Sequence, residues 1–140
     1  MKKVLLWLWQ LPQSIAGFIL SQTFTDCTSV ITFSGKSVVV YFSKKVFGAG
    51  VSLGKYIILD ERYLLCSDFT LRTTVSHEYG HTKQSELLGP FYLLTVGIAS
   101  AVRNVYDRVA HKKWDFEKRA SWYYGGWPEK WADKLGNVKR

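Results

Sequence analysis

The period of the hydrophobic positions changes twice along this chain. Residues 4–20 are mostly apolar, broken at Gln10, Pro12, Gln13 and Ser14. That pattern predicts two short helices, 4–10 and 14–22, hinged at Pro12. Between residues 30 and 65, β-branched and aromatic runs take over at 30–33, 38–42 and 51–60, the last centred on Tyr56-Ile57-Ile58-Leu59. Ser34-Gly35-Lys36 separates the first two runs, and Lys44-Lys45 with Gly48-Ala49-Gly50 separates off the third. Three strands with short connections predict an antiparallel meander. From Thr70 onward the period is helical, with helices expected at 70–88, 91–110 and 128–135. Helix, then strands, then helices is an α+β order. No repeat or low-complexity linker divides the 140 residues, so one domain, 1–140, is expected.

The segment 1–22 carries two readings. Lys2 and Lys3 followed by an apolar stretch have the outline of a signal peptide. The polar break at residues 10–14 leaves no apolar span of membrane-crossing length, and no A-x-A site precedes Asp26. Either the segment belongs to the domain and touches a membrane surface through residues 4–20, where Trp7 and Trp9 suit an interface, or it is a signal or anchor. The first reading predicts a cytoplasmic protein; the second, a membrane-associated or secreted one.

Composition narrows the classes. Aromatic residues make up 16% of the chain, ample material for a core. Cys27 and Cys66 make neither a disulfide framework nor a C-x-x-C pair, which excludes a disulfide-rich miniprotein and a cysteine-ligated zinc finger. The net charge of +8 is concentrated late, since residues 101–140 hold ten bases against five acids. A basic surface favours an anionic partner. With no RNP-like, C2H2 or Walker sequence beside it, it does not make nucleic-acid binding the main role.

The chemistry lies in His77-Glu78-Tyr79-Gly80-His81, an H-E-x-x-H pattern. Histidines four apart project from one helical face and can bind the same Zn2+, while the adjacent glutamate can take a proton from metal-bound water. Asp68 or Thr70 can cap the helix, and Gly89-Pro90 can end it. Thr70, Thr74, His77 and His81 fall on one face, with Arg72, Ser76, Tyr79 and Lys83 on the far side. The competing reading is a solvated polar face; the full spacing on a bounded helix favours the metal.

A catalytic zinc needs a third protein ligand, and the candidates are Asp107, His111, Asp115, Glu117 and Glu129. Leu87-Leu88 replaces the extension that a metzincin requires. His111 follows an apolar helix and stands beside Lys112 and Lys113, which reads as an exposed basic helix end. Glu129 is better placed, after Pro128 at the start of a helix closed by Gly136. Glu129/Asp133 and Lys130/Lys134 are like-charge i,i+4 pairs, which an exposed helix disfavours. A metal held by Glu129, with Asp133 orienting a ligating histidine, would give the two acids a shared partner.

H-E-x-x-H on one helix and E-x-x-x-D on a later one resembles the gluzincin clan of zinc metallopeptidases, the thermolysin-like group, in its minimal form. The wording of 77–84 and 129–136 is also similar to a family of small bacterial HEYGH proteins. The resemblance implies a zincin-like fold, a small antiparallel sheet packed on the active-site helix with further helices. It implies His77, His81 and Glu129 as ligands, Glu78 as general base and Asp133 behind the ligands. Thermolysin-like enzymes carry a further lobe with a histidine that stabilises the transition state. Nothing here corresponds to it, and Tyr123, Tyr124 or Tyr106 stand as candidates to donate to the oxyanion. The expected function is zinc-dependent hydrolysis of a peptide or protein substrate by a monomer. Zn2+ would polarise the carbonyl, Glu78 would carry the proton, and strand 51–59 at a sheet edge would hold the substrate by strand addition. The alternatives are a basic binding protein with a structural or inactive zinc site, and a protease recruited to DNA by its basic carboxy-terminal third.

Overall fold

A computed structural model describes every residue except Met1, Ser34 and Phe47, and reports no side-chain environment for Lys2, Phe33 and Lys36. Met1 of the amino-terminal segment and Ser34 of the expected first turn thus lie outside the described residues. The fold is α+β, with helices α1 (Lys2–Trp9) and α2 (Leu11–Thr23), strands β1 (Cys27–Phe33), β2 (Lys36–Ser43), β3 (Gly50–Leu53) and β4 (Tyr56–Asp60), then helices α3 (Asp68–Leu88), α4 (Ile98–Ala110), α5 (Phe116–Gly125) and α6 (Glu129–Gly136).

The strands form one mixed sheet in the order β1-β2-β4-β3, a correction to the expected three-stranded antiparallel meander. The run 51–60 is not one strand. It folds back at Gly54, whose φ of 60° suits a residue without a Cβ, so that β3 pairs antiparallel with β4. Strand β4 then inserts between β3 and β2 and runs parallel to β2. It is buried on both faces, which is why its sequence is an apolar run and not an alternation.

One face of the sheet meets α3. Cross-strand neighbours Val40/Ile57 and Phe42/Leu59 close over Val75, all five fully buried. The other face of β3 and β4 receives α2, where Gly17 lets the helix approach the Leu53 carbonyl and Tyr56. Helix α2 begins one residue after α1 ends, and Pro12 lies within its first turn, where the missing N–H costs no hydrogen bond. The two helices meet at 95°.

Helix α3 is capped by Ser67, whose hydroxyl accepts from Thr70 N at 3.2 Å, not by Asp68 or Thr70 as expected. It ends at Gly89 with φ 54°, followed by Pro90. The expected helix 91–110 is divided: a π-helical turn at Leu93–Gly97 precedes α4. Helix α5, not expected from the hydrophobic pattern, is capped by Asp115, whose carboxylate accepts from Lys118 N at 2.8 Å.

Candidate metal centre

Helices α3 and α6 pack with their backbones touching. A Cβ added at Gly80 would run into the Ala132 carbonyl, and one at Gly136 into the Ser76 carbonyl. Glycine in a helix interior costs about 1 kcal/mol relative to alanine; here it lets α6 bring its first-turn acid against the α3 histidines. Ala132 fills the contact, with Lys130 and Lys134 on the exposed side of α6.

The structure brings His77, His81 and Glu129 together. One ligand atom from each lies within 4.8 Å of the others, and all three side chains are buried. Glu129 Oε2 is 3.0 Å from His77 Nε2 and 3.1 Å from His81 Nε2. The outer nitrogens have partners of their own. His77 Nδ1 is 2.7 Å from Asp133 Oδ1, and Arg140 Nε donates to Asp133 Oδ2 at 2.8 Å. His81 Nδ1 is 2.7 Å from Gln84 Oε1, while the Gln84 amide nitrogen donates to Pro128 O at 3.0 Å.

These partners assign the tautomers. Asp133 carboxylate and the Gln84 amide oxygen can only accept, so each imidazole keeps its proton on Nδ1. In the neutral rings both Nε2 atoms then present lone pairs to a carboxylate oxygen. Three acceptors converge, and only a cation between them satisfies all three. In the metal-free chain a proton on His77 relieves part of this, bridging its Nε2 to Glu129. Burial opposes charging His77, but bonds to Asp133 and Glu129 outweigh it and raise its pKa to about 9. Burial likewise opposes ionising Glu129, and the two imidazoles more than offset it, holding its carboxyl below the usual range. Glu129 Oε1 is buried with no hydrogen-bond partner, a second sign that this carboxylate is built to bind more than the two histidines. The donor set of two imidazoles and a carboxylate fits a divalent transition metal.

Glu78 lines the same cleft, which measures about 1010 Å3. The Ser52 hydroxyl of β3 donates to the Glu78 carboxylate at 2.7 Å and stands 2.9 Å from its carbonyl oxygen. The buried Tyr92 hydroxyl in turn donates to Ser52 O at 3.0 Å. Tyr124 sets its ring edge-on to His77, 5.0 Å between centroids, with the Arg140 guanidinium over its face. Tyr123 stands edge-on to Tyr124, 5.1 Å between centroids, its hydroxyl 3.4 Å from Ser100 Oγ. Burial raises the pKa of both phenols, so each keeps its proton as a donor.

The other sequence candidates lie elsewhere. His111 is not at an exposed helix end: it is buried, stacked on Trp114 at 3.8 Å and edge-on to Trp122 and Tyr106. Tyr106 is thereby spent on that aromatic cluster. Asp107 binds Arg119, with His111 Nδ1 at 3.3 Å. Asp115 caps α5, and Glu117 stands exposed in its first turn. The reading of Glu129 and Asp133 as a surface pair fails because both are buried, and the partner they share is His77. Ser52, Gln84, Tyr92 and Arg140 were not anticipated. Gln84, two turns beyond His77 and three residues after His81, was the one within reach of a spacing argument. Comparison with protein families, curated proteins and solved structures finds no match for this chain.

Proposed function

We propose that the chain is a zinc-dependent metallopeptidase of zincin-like design. The observation that carries the reading is the convergence of His77 Nε2, His81 Nε2 and Glu129 Oε2 on one point in a cleft that Glu78 also lines. Three protein ligands of this N/N/O type leave a fourth position for water or substrate. Bound there, Zn2+ supplies Lewis acidity and a water of lowered pKa. Glu78 is the general base. It sits about 100° round the helix from His77, out of the ligand set, and the Ser52 hydroxyl holds its carboxylate in place. Asp133 and Gln84 fix the histidine tautomers, leaving both Nε2 lone pairs for the metal. Tyr123 and Tyr124 are the donors available to an oxyanion.

The substrate is an extended peptide. Strand β3 is the sheet edge beside α3 and lines the cleft. Asp60 N donates to Ala49 O at 3.0 Å, so by alternation the backbone groups of Gly50 and Ser52 turn away from β4. The Ser52 carbonyl is taken by Tyr92, which leaves Gly50 as the edge's free acceptor among the described residues. A Cβ at Gly50 would meet Leu59 and come within 3.1 Å of Glu78 Oε1, so glycine keeps that carboxylate against the edge strand, and adding a strand here would place its carbonyls alongside it.

The test is hydrolysis of quenched fluorescent peptide libraries by zinc-loaded protein, with Glu78→Gln alongside. We expect cleavage by the wild type, and a variant that retains one zinc per chain while losing cleavage. A wild type that binds zinc stoichiometrically and cleaves no peptide would replace the enzyme by a structural metal site.

A further inference from the structure

Helix α2 is inside out. Its buried positions are Gln13, Ser14, Gly17 and Ser21, polar or without a side chain, while Phe18 and Ile19 stand 51% and 54% exposed. Helix α1 is apolar on every side: Val4 to Trp9 are all exposed, and six consecutive residues span more than a full turn. The second half of the molecule repeats the pattern. Ile98, Val102, Val105 and Val109 form one outward stripe along α4, preceded by exposed Phe91 and Leu94.

The two apolar regions meet. The Trp9 indole N–H donates to Glu86 O at 3.1 Å, and the Gln13 amide nitrogen donates to Gly89 O at 2.8 Å. The corner between α1 and α2 is thus fastened to the corner where α3 ends. No single helix among the described residues is long and apolar enough to cross a membrane. The bent pairs formed by α1 with α2, and by α3 with α4, reach that apolarity only together, at angles of 95° and 113°.

The charge pattern follows the same boundary. No acid occurs in residues 1–25 or 87–106. The flanks are basic: Lys2 and Lys3 are the first two residues of α1, Arg108 lies in the last turn of α4, and Lys112 and Lys113 follow it.

We propose that α1, the outer face of α2 and the segment from Phe91 through α4 lie in one leaflet of an anionic lipid bilayer. A second protein copy would cover one side of α1, whereas lipid chains surround a helix that is apolar all round. Inward amides and outward aliphatics on α2 suit a hydrocarbon surround in the same way. The basic flanks sit at the level of the headgroups, with Trp7 at the interface.

The test is cell-free synthesis of the full chain with vesicles, followed by flotation. The vesicles are phosphatidylglycerol mixed with phosphatidylcholine, or phosphatidylcholine alone. Wild type should float with the anionic vesicles and several-fold less with the zwitterionic ones. Leu5→Glu with Phe18→Glu, and separately Val102→Glu with Val109→Glu, should each reduce flotation by at least about tenfold. These side chains are exposed, and retained zinc uptake checks that each variant is folded. Glu78→Gln should float like the wild type, so docking and peptide cleavage fail independently. Wild type left at the bottom of the gradient overturns the proposal, as do variants that float normally. So does a vesicle-free dimer that the same substitutions dissolve. Equal flotation with both vesicle types overturns the requirement for anionic lipid.

Discussion

Polar side chains are buried in two places, and the hydrogen bonding differs. Around α2, donors meet acceptors: the Gln13 amide nitrogen donates to Ser85 Oγ at 2.9 Å, and the Ser85 hydroxyl donates to Gln10 Oε1 at 2.6 Å. Between α3 and α6, acceptors meet acceptors, with both Nε2 atoms and a carboxylate oxygen facing one another. The first chain joins helices through complementary pairs and leaves a single acceptor, Gln13 Oε1, without a partner. The second is satisfied only by a cation. Burial of polar groups therefore signals a ligand when several acceptors converge with no donor between them, and not when one acceptor is merely left over.

The comparison can be broken most severely at its closest approach. Gly80→Val should drive α3 and α6 apart, costing more than about 4 kcal/mol and abolishing metal uptake, as thermal denaturation and elemental analysis would show. Glu129→Ala should be next. It removes the shared acceptor, so zinc affinity measured by chelator competition should fall by more than about a thousandfold. Asp133→Ala leaves the ligands in place and should weaken zinc by about 10–100-fold. Equal losses for these two substitutions would mean that Asp133 is itself a ligand.

On the α2 side the ranking by hydrophobicity should invert. Gln13→Ala breaks two buried hydrogen bonds and should cost about 2 kcal/mol in denaturant unfolding. Phe18→Ser, measured without lipid, should stay within about 0.5 kcal/mol of the wild type. A reversed order would show that Phe18 is covered in solution.

The smallest effect concerns pH at a site outside both networks. Burial raises the Asp107 pKa, but bonds from Arg119 and His111 outweigh it, leaving the carboxyl below its ordinary value of 3.8. A depressed carboxyl stabilises the fold above that value, and the contribution is lost as pH falls below it. Asp107→Asn should therefore cost about 1 kcal/mol at neutral pH and narrow its gap to the wild type on acidification toward pH 3.

Much of the candidate site could be read from local spacing. His77 and His81 share a face because they are four apart, and the like-charge pairs of α6 marked Glu129 and Asp133 as having business elsewhere. Pro128 and Gly136 bounded that helix to within a residue. What escaped depends on chain reversal or tertiary packing. A turn at Gly54 was hidden inside an apolar run, so one strand was expected where β3 and β4 form a hairpin, and the parallel pairing that follows from it was lost too. Ser52 and Tyr92 join Glu78 only through that hairpin. His111 looked exposed because its sequence neighbours are lysines, yet Trp122 and Tyr106 enclose it. Nor does a hydrophobic period say which side of α2 faces the protein.

The two histidines, alike in spacing, are backed unequally. His77 leans on a carboxylate, His81 on a neutral amide oxygen. A charged acceptor pushes electron density into its ring more strongly than a neutral one, so Nε2 of His77 is the stronger base and His81 the weaker arm. An ion exchanging with solvent would then detach from His81 first and stay tethered to His77 and Glu129, making dissociation stepwise. Gln84→Glu would level the two rings, and slower zinc loss to a chelator, with unchanged association, would be its kinetic mark.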